Sequence, residues 1–385
     1  MPVKRWMFEA AAIAVAATML GFMLWRLAGA HDMSLPSGQP LFGDFIAFWS
    51  AGRAALDGHA AEVHDRALIF SYHTMVAPDV RFVAPWNSPP TFLLVACGLA
   101  LMPYGVSAIV FLVATLAFFL LVMRSLLPDA RALIFAASAP AVVYHAGTVQ
   151  AALLVSGVTG LALAMLDKRP RLAGLLVALL AIKPHLALLW PLFLLLSRRW
   201  VAFVAAALGT VAFVVLAGLV FGFETYISFA ENLAASQRLI SSQQITTPAY
   251  ASVFANLLDL GAPTAVAGAA HAASAVLALA VSSWLFWRGD RAVAGAALCA
   301  ATLLMSPYMF FYDYTLLLMA AAVLGAPRSP YELAAYVFAW GAGLTVAVGY
   351  YLPLPICPLA AWLMLGVCVT RARSAALRPA PAQPT

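Results

Sequence analysis

Long apolar runs broken by short polar stretches organise this 385-residue chain. The runs cover residues 6–28, 91–102, 105–127, 132–144, 151–166, 172–182, 186–196, 201–221, 264–287, 292–305, 314–324, 333–348 and 355–369. None shows the two-residue alternation of a barrel strand, so each reads as helix. A hydrocarbon core of roughly 30 Å takes about 20 residues per helix, and only helices or closed barrels satisfy backbone groups in lipid. The pattern predicts an all-α polytopic membrane protein with about 10–12 transmembrane helices. Residues 1–370 read as one integral domain and residues 371–385, rich in Pro and Ala, as a disordered tail.

Two polar stretches interrupt the apolar body. The first, residues 31–90, carries Asp32, Asp44, Asp57, Glu62, Asp65 and Asp79 with His31, His59, His64 and His73. Within it, residues 44–56 read as an amphipathic helix with Phe45, Phe48 and Trp49 turned to the membrane interface. Trp86-Asn87-Ser88-Pro89-Pro90 then breaks the chain before the next run. The second polar stretch spans residues 223–260.

Composition agrees with the pattern. Hydrophobic residues make up 64% of the chain and charged ones 9%, with a mean hydropathy of +0.95, far from soluble globular proteins. The net charge of +6 does not point to nucleic acid. Its basic residues fall in short clusters between runs: Lys4-Arg5, Lys168-Arg169-Pro170-Arg171, Arg198-Arg199, Arg288 with Arg291, and Arg371 with Arg373. Such clusters mark the inner face of a bacterial-type plasma membrane. Both termini then lie in the cytoplasm, which requires an even number of crossings. The run count is odd, so one short run, residues 91–102 ending at Pro103, is expected to re-enter or fuse with a neighbour. Residues 6–28 exceed the ~7–15-residue core of a signal peptide and read as a retained span. Both polar stretches, residues 145–150, 183–185 and 306–313 then share the outer face. The four cysteines lie in apolar runs without metal-ligand spacing and imply no disulfide framework.

Several outer-face residues bear chemistry. Asp44 has two readings: a helix N-cap, or a general base that takes a proton from a hydroxyl. Lys183 is embedded in an apolar stretch, where an ionisable group is costly. With His185 beside it, it suits a lipid phosphate; snorkelling to headgroups is the alternative. Tyr312 and Asp313, near Tyr308 and Tyr314, suit sugar binding through ring faces and a carboxylate, or form an interfacial aromatic belt. Gln150, Asn87 and Arg238 are candidate hydroxyl or phosphate contacts. Arg53 and Asp57 make a helix-surface pair. His59, His64 and His73 lack ligand spacing and read as solvated, so neither metal nor cofactor is expected. There is no P-loop, no GxGxxG before a helix and no GxSxG, and no soluble nucleotide-sugar domain.

These blocks together resemble glycosyltransferase family 87, a polytopic group formerly filed as a domain of unknown function. The resemblance runs from about Gly43 to Leu324. It rests on Asp44-Phe45…Leu56-Asp57-Gly58, Trp86-Asn87-Ser88-Pro89-Pro90-Thr91, Leu101-Met102-Pro103, Gly147-Thr148-Val149-Gln150, Ile182-Lys183-Pro184, Arg198-Arg199-Trp200 and Ser306-Pro307. Two places depart from the family. It commonly shows Gly-Gln-x-Asn where this chain has Gly147-Thr148-Val149-Gln150, and its mannosyltransferases often carry histidine where Tyr312-Asp313 stands.

The resemblance implies a fold of the glycosyltransferase superfamily C type, with an acidic residue in a long first outer loop. That residue acts as base in an inverting transfer, a role that falls on Asp44. It implies a hexosyl donor carried on polyprenyl phosphate, mannosyl by family default, and a glycolipid or glycan acceptor at the outer, periplasmic face. The rival from another class is a transporter or flippase of a lipid-linked sugar, but the paired broken segments of transporters are not evident in the two halves.

Overall fold

The computed structural model describes residues 5–127, 129–241, 249–345 and 356–376. Lys4 and residues 377–385 of the expected tail lie outside them. Among the described residues the regular structure is helical, with only isolated bridges where extended segments touch.

Among the described residues, five helices are long and apolar enough to cross a membrane: Arg5–Ala28, Tyr104–Leu126, Trp200–Phe221, Thr264–Arg288 and Ile356–Ala376. At 1.5 Å rise per residue, about 22 residues span roughly 33 Å. Leu121, Leu208, Leu219 and Val276, on three of these helices, are exposed as lipid-facing residues would be. Seven shorter apolar helices accompany them. Arg291–Thr302 is buried from Val293 through Thr302.

Proline sets where the short helices stop, because it cannot donate to the ladder and its ring clashes with the preceding turn. The run predicted over 132–144 is split by Pro140 into Ala132–Ser138 and Pro140–Thr148. Pro170–Leu179 ends in a 3₁₀ turn, Leu180–Ile182, and Pro184 starts a fresh turn after Lys183.

The expected interfacial helix is instead a core element. Phe45–Leu56 buries Phe45, Ile46, Phe48 and Trp49 against protein. Phe48 meets Phe92 edge-on at 4.8 Å between ring centres, and Trp49 Nε1 donates to the Met102 carbonyl at 2.9 Å. Its partner is Pro90–Ala100, whose backbone comes so close at Gly52 that any Cβ there would collide with the Ala96 carbonyl. Eleven residues rise only about 16 Å, so this helix cannot cross alone. The apolar face is covered by a neighbouring helix rather than by lipid.

Three further expectations change. The second polar stretch begins as a helix, Glu224–Ser241, and lies over the first: Asn232 Nδ2 donates to Asn87 Oδ1 at 2.9 Å and to the Trp86 carbonyl at 3.3 Å. The C-terminal helix runs on to Ala376, past residue 371 where the tail was expected to start. Arg371 is buried, donating to both oxygens of Glu332 and to the carbonyls of Leu324 and Ala326. His73 is not solvated: Ser50 Oγ lies 2.8 Å from its Nδ1 and the Ala84 carbonyl 3.1 Å from its Nε2, and burial holds the imidazole down at about 4. His64 likewise bonds the Trp86 carbonyl, at 2.9 Å, while His59 stays exposed beside Glu62. Arg53 and Asp57 form the expected surface pair at 3.0 Å.

Candidate active site

Gly43 makes the entry to the site possible. Its φ of +52° is a left-handed conformation, and a Cβ would stand 2.7 Å from the Gly147 carbonyl oxygen. The chain therefore passes directly over residues 147–148 and delivers Asp44 next to Gln150. Asp44 has helical backbone angles (φ −67°, ψ −14°) and its side chain caps nothing. A capping residue needs extended backbone to turn its oxygen onto the first amides. The capping alternative is thereby overturned.

Gln150 Nε2 instead donates to Asp44 Oδ2 at 2.7 Å. The glutamine is aimed by its neighbour. Val149 ends the Pro140–Thr148 helix in the left-handed region (φ 45°, ψ 52°) and is fully buried. A β-branched residue there costs on the order of 1–2 kcal/mol, borne by packing around it.

A charged pair lies near this one, close enough for Lys183 to act on Asp44. Lys183 Nζ forms an ion pair with Asp313 Oδ1, and the carboxylate is fully buried. The same ammonium sits 4.8 Å from the centre of the Tyr312 ring. Lys183 therefore does not stand free for a phosphate as expected; one of its three donors is committed. Phe310 stacks on Tyr312 at 5.1 Å with planes 5° apart, and Tyr250 lies on Phe310 at 4.5 Å. The column is held by a short pairing of extended segments: Ala251 N donates to Met309 O at 2.7 Å and Phe311 N to Ala249 O at 3.0 Å. Tyr314 Oη adds a 2.8 Å bond to the Ala251 carbonyl.

Electrostatics joins the two pairs. Burial pushes the Asp44 carboxyl above its usual range, while the Gln150 hydrogen bond and the Lys183 charge pull it back in part. Burial and the Asp44 charge push the Tyr250 hydroxyl up to about 12. Lys183 also acts on two imidazoles, His185 and His145. Both ring nitrogens of His145, and Nε2 of His185, are buried without a hydrogen-bond partner among the described residues. Buried polar atoms of this kind are uncommon.

The structure thus gathers Asp44, Gln150, Lys183, His185, Tyr312 and Asp313 into one neighbourhood. Asn87 is exposed and bonded to Asn232, and Arg238 is exposed on the Glu224–Ser241 helix; neither touches the cluster among the described residues. Tyr250 and His145 belong to it and have no local signal in the sequence. His145 lies in the outer segment 145–150, but only the fold shows that it is buried. Elsewhere, His31, Asp32 and Asp79 bring three ligand atoms within 4.8 Å of one another, all exposed, where a metal ion could be held.

The model of glycosyltransferase family 87 matches residues 86–307, more than half of the 385-residue chain. It takes in Gln150 and Lys183, starts after Asp44 and ends before Tyr312 and Asp313. Comparison with curated proteins and with solved structures finds no match.

Proposed function

The chain belongs to glycosyltransferase family 87, and from that membership we propose that this multi-pass membrane glycosyltransferase moves a hexosyl group, mannosyl by family default, from polyprenyl phosphate to an acceptor hydroxyl with inversion. The observation that carries the reading is the state of Asp44. One oxygen, Oδ2, is fixed by Gln150, and the other has no hydrogen-bond partner among the described residues.

In this mechanism the acceptor hydroxyl approaches Oδ1 of Asp44. Its oxygen attacks the anomeric carbon as its proton passes to the carboxylate, and the bond from that carbon to the phosphate oxygen breaks. The polyprenyl phosphate leaves with the electron pair. Its oxygens accept from the uncommitted N–H groups of Lys183 and from one ring N–H each of His185 and His145. Because Asp313 neutralises Lys183, the site offers the phosphate directed hydrogen bonds more than net charge. The aromatic column of Tyr250, Phe310 and Tyr312 supplies ring faces for the sugar. No nucleotide is required, since the phosphate ester is already activated.

The outer-face placement is supported by how charge is distributed along three elements. Gln150 precedes the Ala152–Met165 helix and Asp167 follows it; Lys183 precedes Pro184–Leu196, and Arg198 and Arg199 follow; Arg291 opens the Arg291–Thr302 helix and Asp313 lies beyond its far end. The arginines collect at one end and the site residues at the other, and arginine-rich ends belong inside.

The test is the product. Membranes holding the full chain and radiolabelled polyprenyl-phosphate mannose should yield a labelled glycolipid or glycan, and Asp44→Asn should lower that yield about 10²-fold or more. Relocation of intact labelled donor across the bilayer without any labelled acceptor would identify a flippase instead. Full transfer by Asp44→Asn would remove the base assignment.

A further inference from the structure

At the arginine-rich end of the bundle, a cavity of about 400 Å³ opens between the ends of several helices. Arg198, Arg199 and Arg291 line it, together with Phe193, Phe286 and Trp287. We infer that this cavity binds the phosphate of an anionic membrane phospholipid, as a site separate from the transfer centre.

Separation follows from helix length. The Ala152–Met165 helix, with Gln150 before it and the cavity beyond its end, has 14 residues and rises about 21 Å. The route from Lys183 to Arg198 through Pro184–Leu196 is of similar length. The cavity is therefore about 20 Å from the Asp44 centre, at the opposite membrane face, and cannot share its donor phosphate.

The charge balance favours an anion. Three arginines line the cavity. Asp167, just beyond its wall, pairs with both Arg199 and Arg291, so one carboxylate is shared by two cations. Arg198 has no acidic partner among the described residues, and the cavity retains net positive charge. Arg288 lies over the Trp287 ring at 5.2 Å and adds a further cation at the rim. Arg198 and Arg291 are exposed and Arg199 is half-buried, so the cavity is open to the membrane surface. Here arginines from two separate segments converge on one cavity, and planar guanidinium forks match phosphate oxygens in pairs.

Backbone geometry adds a second observation. Arg198 adopts φ +57°, a left-handed conformation that glycine or asparagine would occupy with less strain. The turn closes the Trp190–Leu196 helix, with Arg198 N donating to Leu195 O at 3.0 Å and Arg199 N to Leu194 O at 2.8 Å, and so fixes both arginines side by side at the cavity.

The walls choose the source of the phosphate. Phe193 and Phe286 meet edge-on at 5.2 Å, and Trp287 ends the membrane-length helix Thr264–Arg288 with its own face exposed. Apolar rings beside a group of arginines, at the depth of the inner headgroups, fit a phospholipid whose chains run down the protein surface.

The experiment uses the full chain purified in detergent. Dioleoylphosphatidylglycerol, dioleoylphosphatidylcholine and inorganic phosphate are each titrated, with bound lipid counted by native mass spectrometry and unfolding followed by temperature. Phosphatidylglycerol should be retained in preference to phosphatidylcholine and raise the unfolding midpoint. Arg198→Asn should weaken its retention about fivefold, the scale of one basic residue near a charged headgroup. Arg291→Gln should weaken it too, and Arg373→Gln, at an exposed basic position outside the cavity, should leave it unchanged. Equal loss in Arg373→Gln would reduce the effect to general surface charge and overturn the site. Competition by inorganic phosphate at the lipid's own concentration would assign the site to free phosphate and overturn the lipid. Should Arg291→Gln fail to fold for want of its pairing with Asp167, Arg198→Asn alone decides, since asparagine suits the backbone there and breaks no described ion pair.

Discussion

Gln150 reaches across 106 positions of sequence to donate a 2.7 Å hydrogen bond to Oδ2 of Asp44. The bond does two things at once. It fixes the orientation of the carboxylate, and it moderates the upward push that burial gives to its pKa.

That balance sets a pH dependence. Asp44 must be ionised to accept a proton, so transfer should rise with pH through a midpoint above the ordinary aspartate value of about 3.9. Gln150→Leu removes an interaction that favours the ionised form, so the acid limb of kcat/KM should move to higher pH. A limb that stays in place or moves down would show that this hydrogen bond does not tune the base.

The Lys183–Asp313 pair should behave as a buried ion pair. Removing one partner leaves an uncompensated charge and typically costs about 3–5 kcal/mol, whereas replacing both by apolar residues is tolerated. Lys183→Met and Asp313→Leu should each lower the yield of folded protein from detergent. The double variant should restore the yield without restoring transfer. A double variant no more stable than the singles would exclude mutual neutralisation as their main role.

Gly43→Ala tests the approach of Asp44. The added methyl would stand 2.7 Å from the Gly147 oxygen in a backbone conformation that alanine rarely takes. Displacement of the carboxylate by about 1 Å is enough to cost on the order of 10²-fold in rate. The loss should fall on kcat, with the protein still folded and KM close to that of the parent.

The C-terminal helix depends on Arg371. Its guanidinium is buried against Glu332 and two backbone carbonyls. Arg371→Leu should destabilise the protein by roughly 3–5 kcal/mol, because Glu332 is left charged in the interior. Thermal unfolding in detergent reads this directly, and a Glu332→Gln partner change should recover part of the loss.

How much of the fold and site is legible in the sequence depends on the kind of information each residue carries. The helical membrane architecture is readable because apolar run length is a local property. The break at Lys183-Pro184 is readable for the same reason, and so is the grouping of Asp44, Lys183 and Asp313 toward one end. Burial of Phe45, Phe48 and Trp49 is not, since an amphipathic pattern states that one face is hidden but not what hides it. The engagement of Lys183 by Asp313 joins residues 130 positions apart and leaves no trace in composition. His145 sits at a helix end and has no spacing signature; only the absence of partners for its nitrogens draws attention to it. Arg371 reads as a tail residue because Pro and Ala dominate the last positions of the chain, whereas its acidic partner lies 39 residues upstream.

The column Tyr250, Phe310, Tyr312 and Lys183 has a mechanical side. Its outermost ring belongs to the second polar stretch, and its innermost member is the cation held by Asp313. A molecule that lifts Tyr250 from Phe310 takes support from every layer below, down to the ammonium. The three rings thus link a half-buried tyrosine of the second polar stretch to the ammonium held by Asp313.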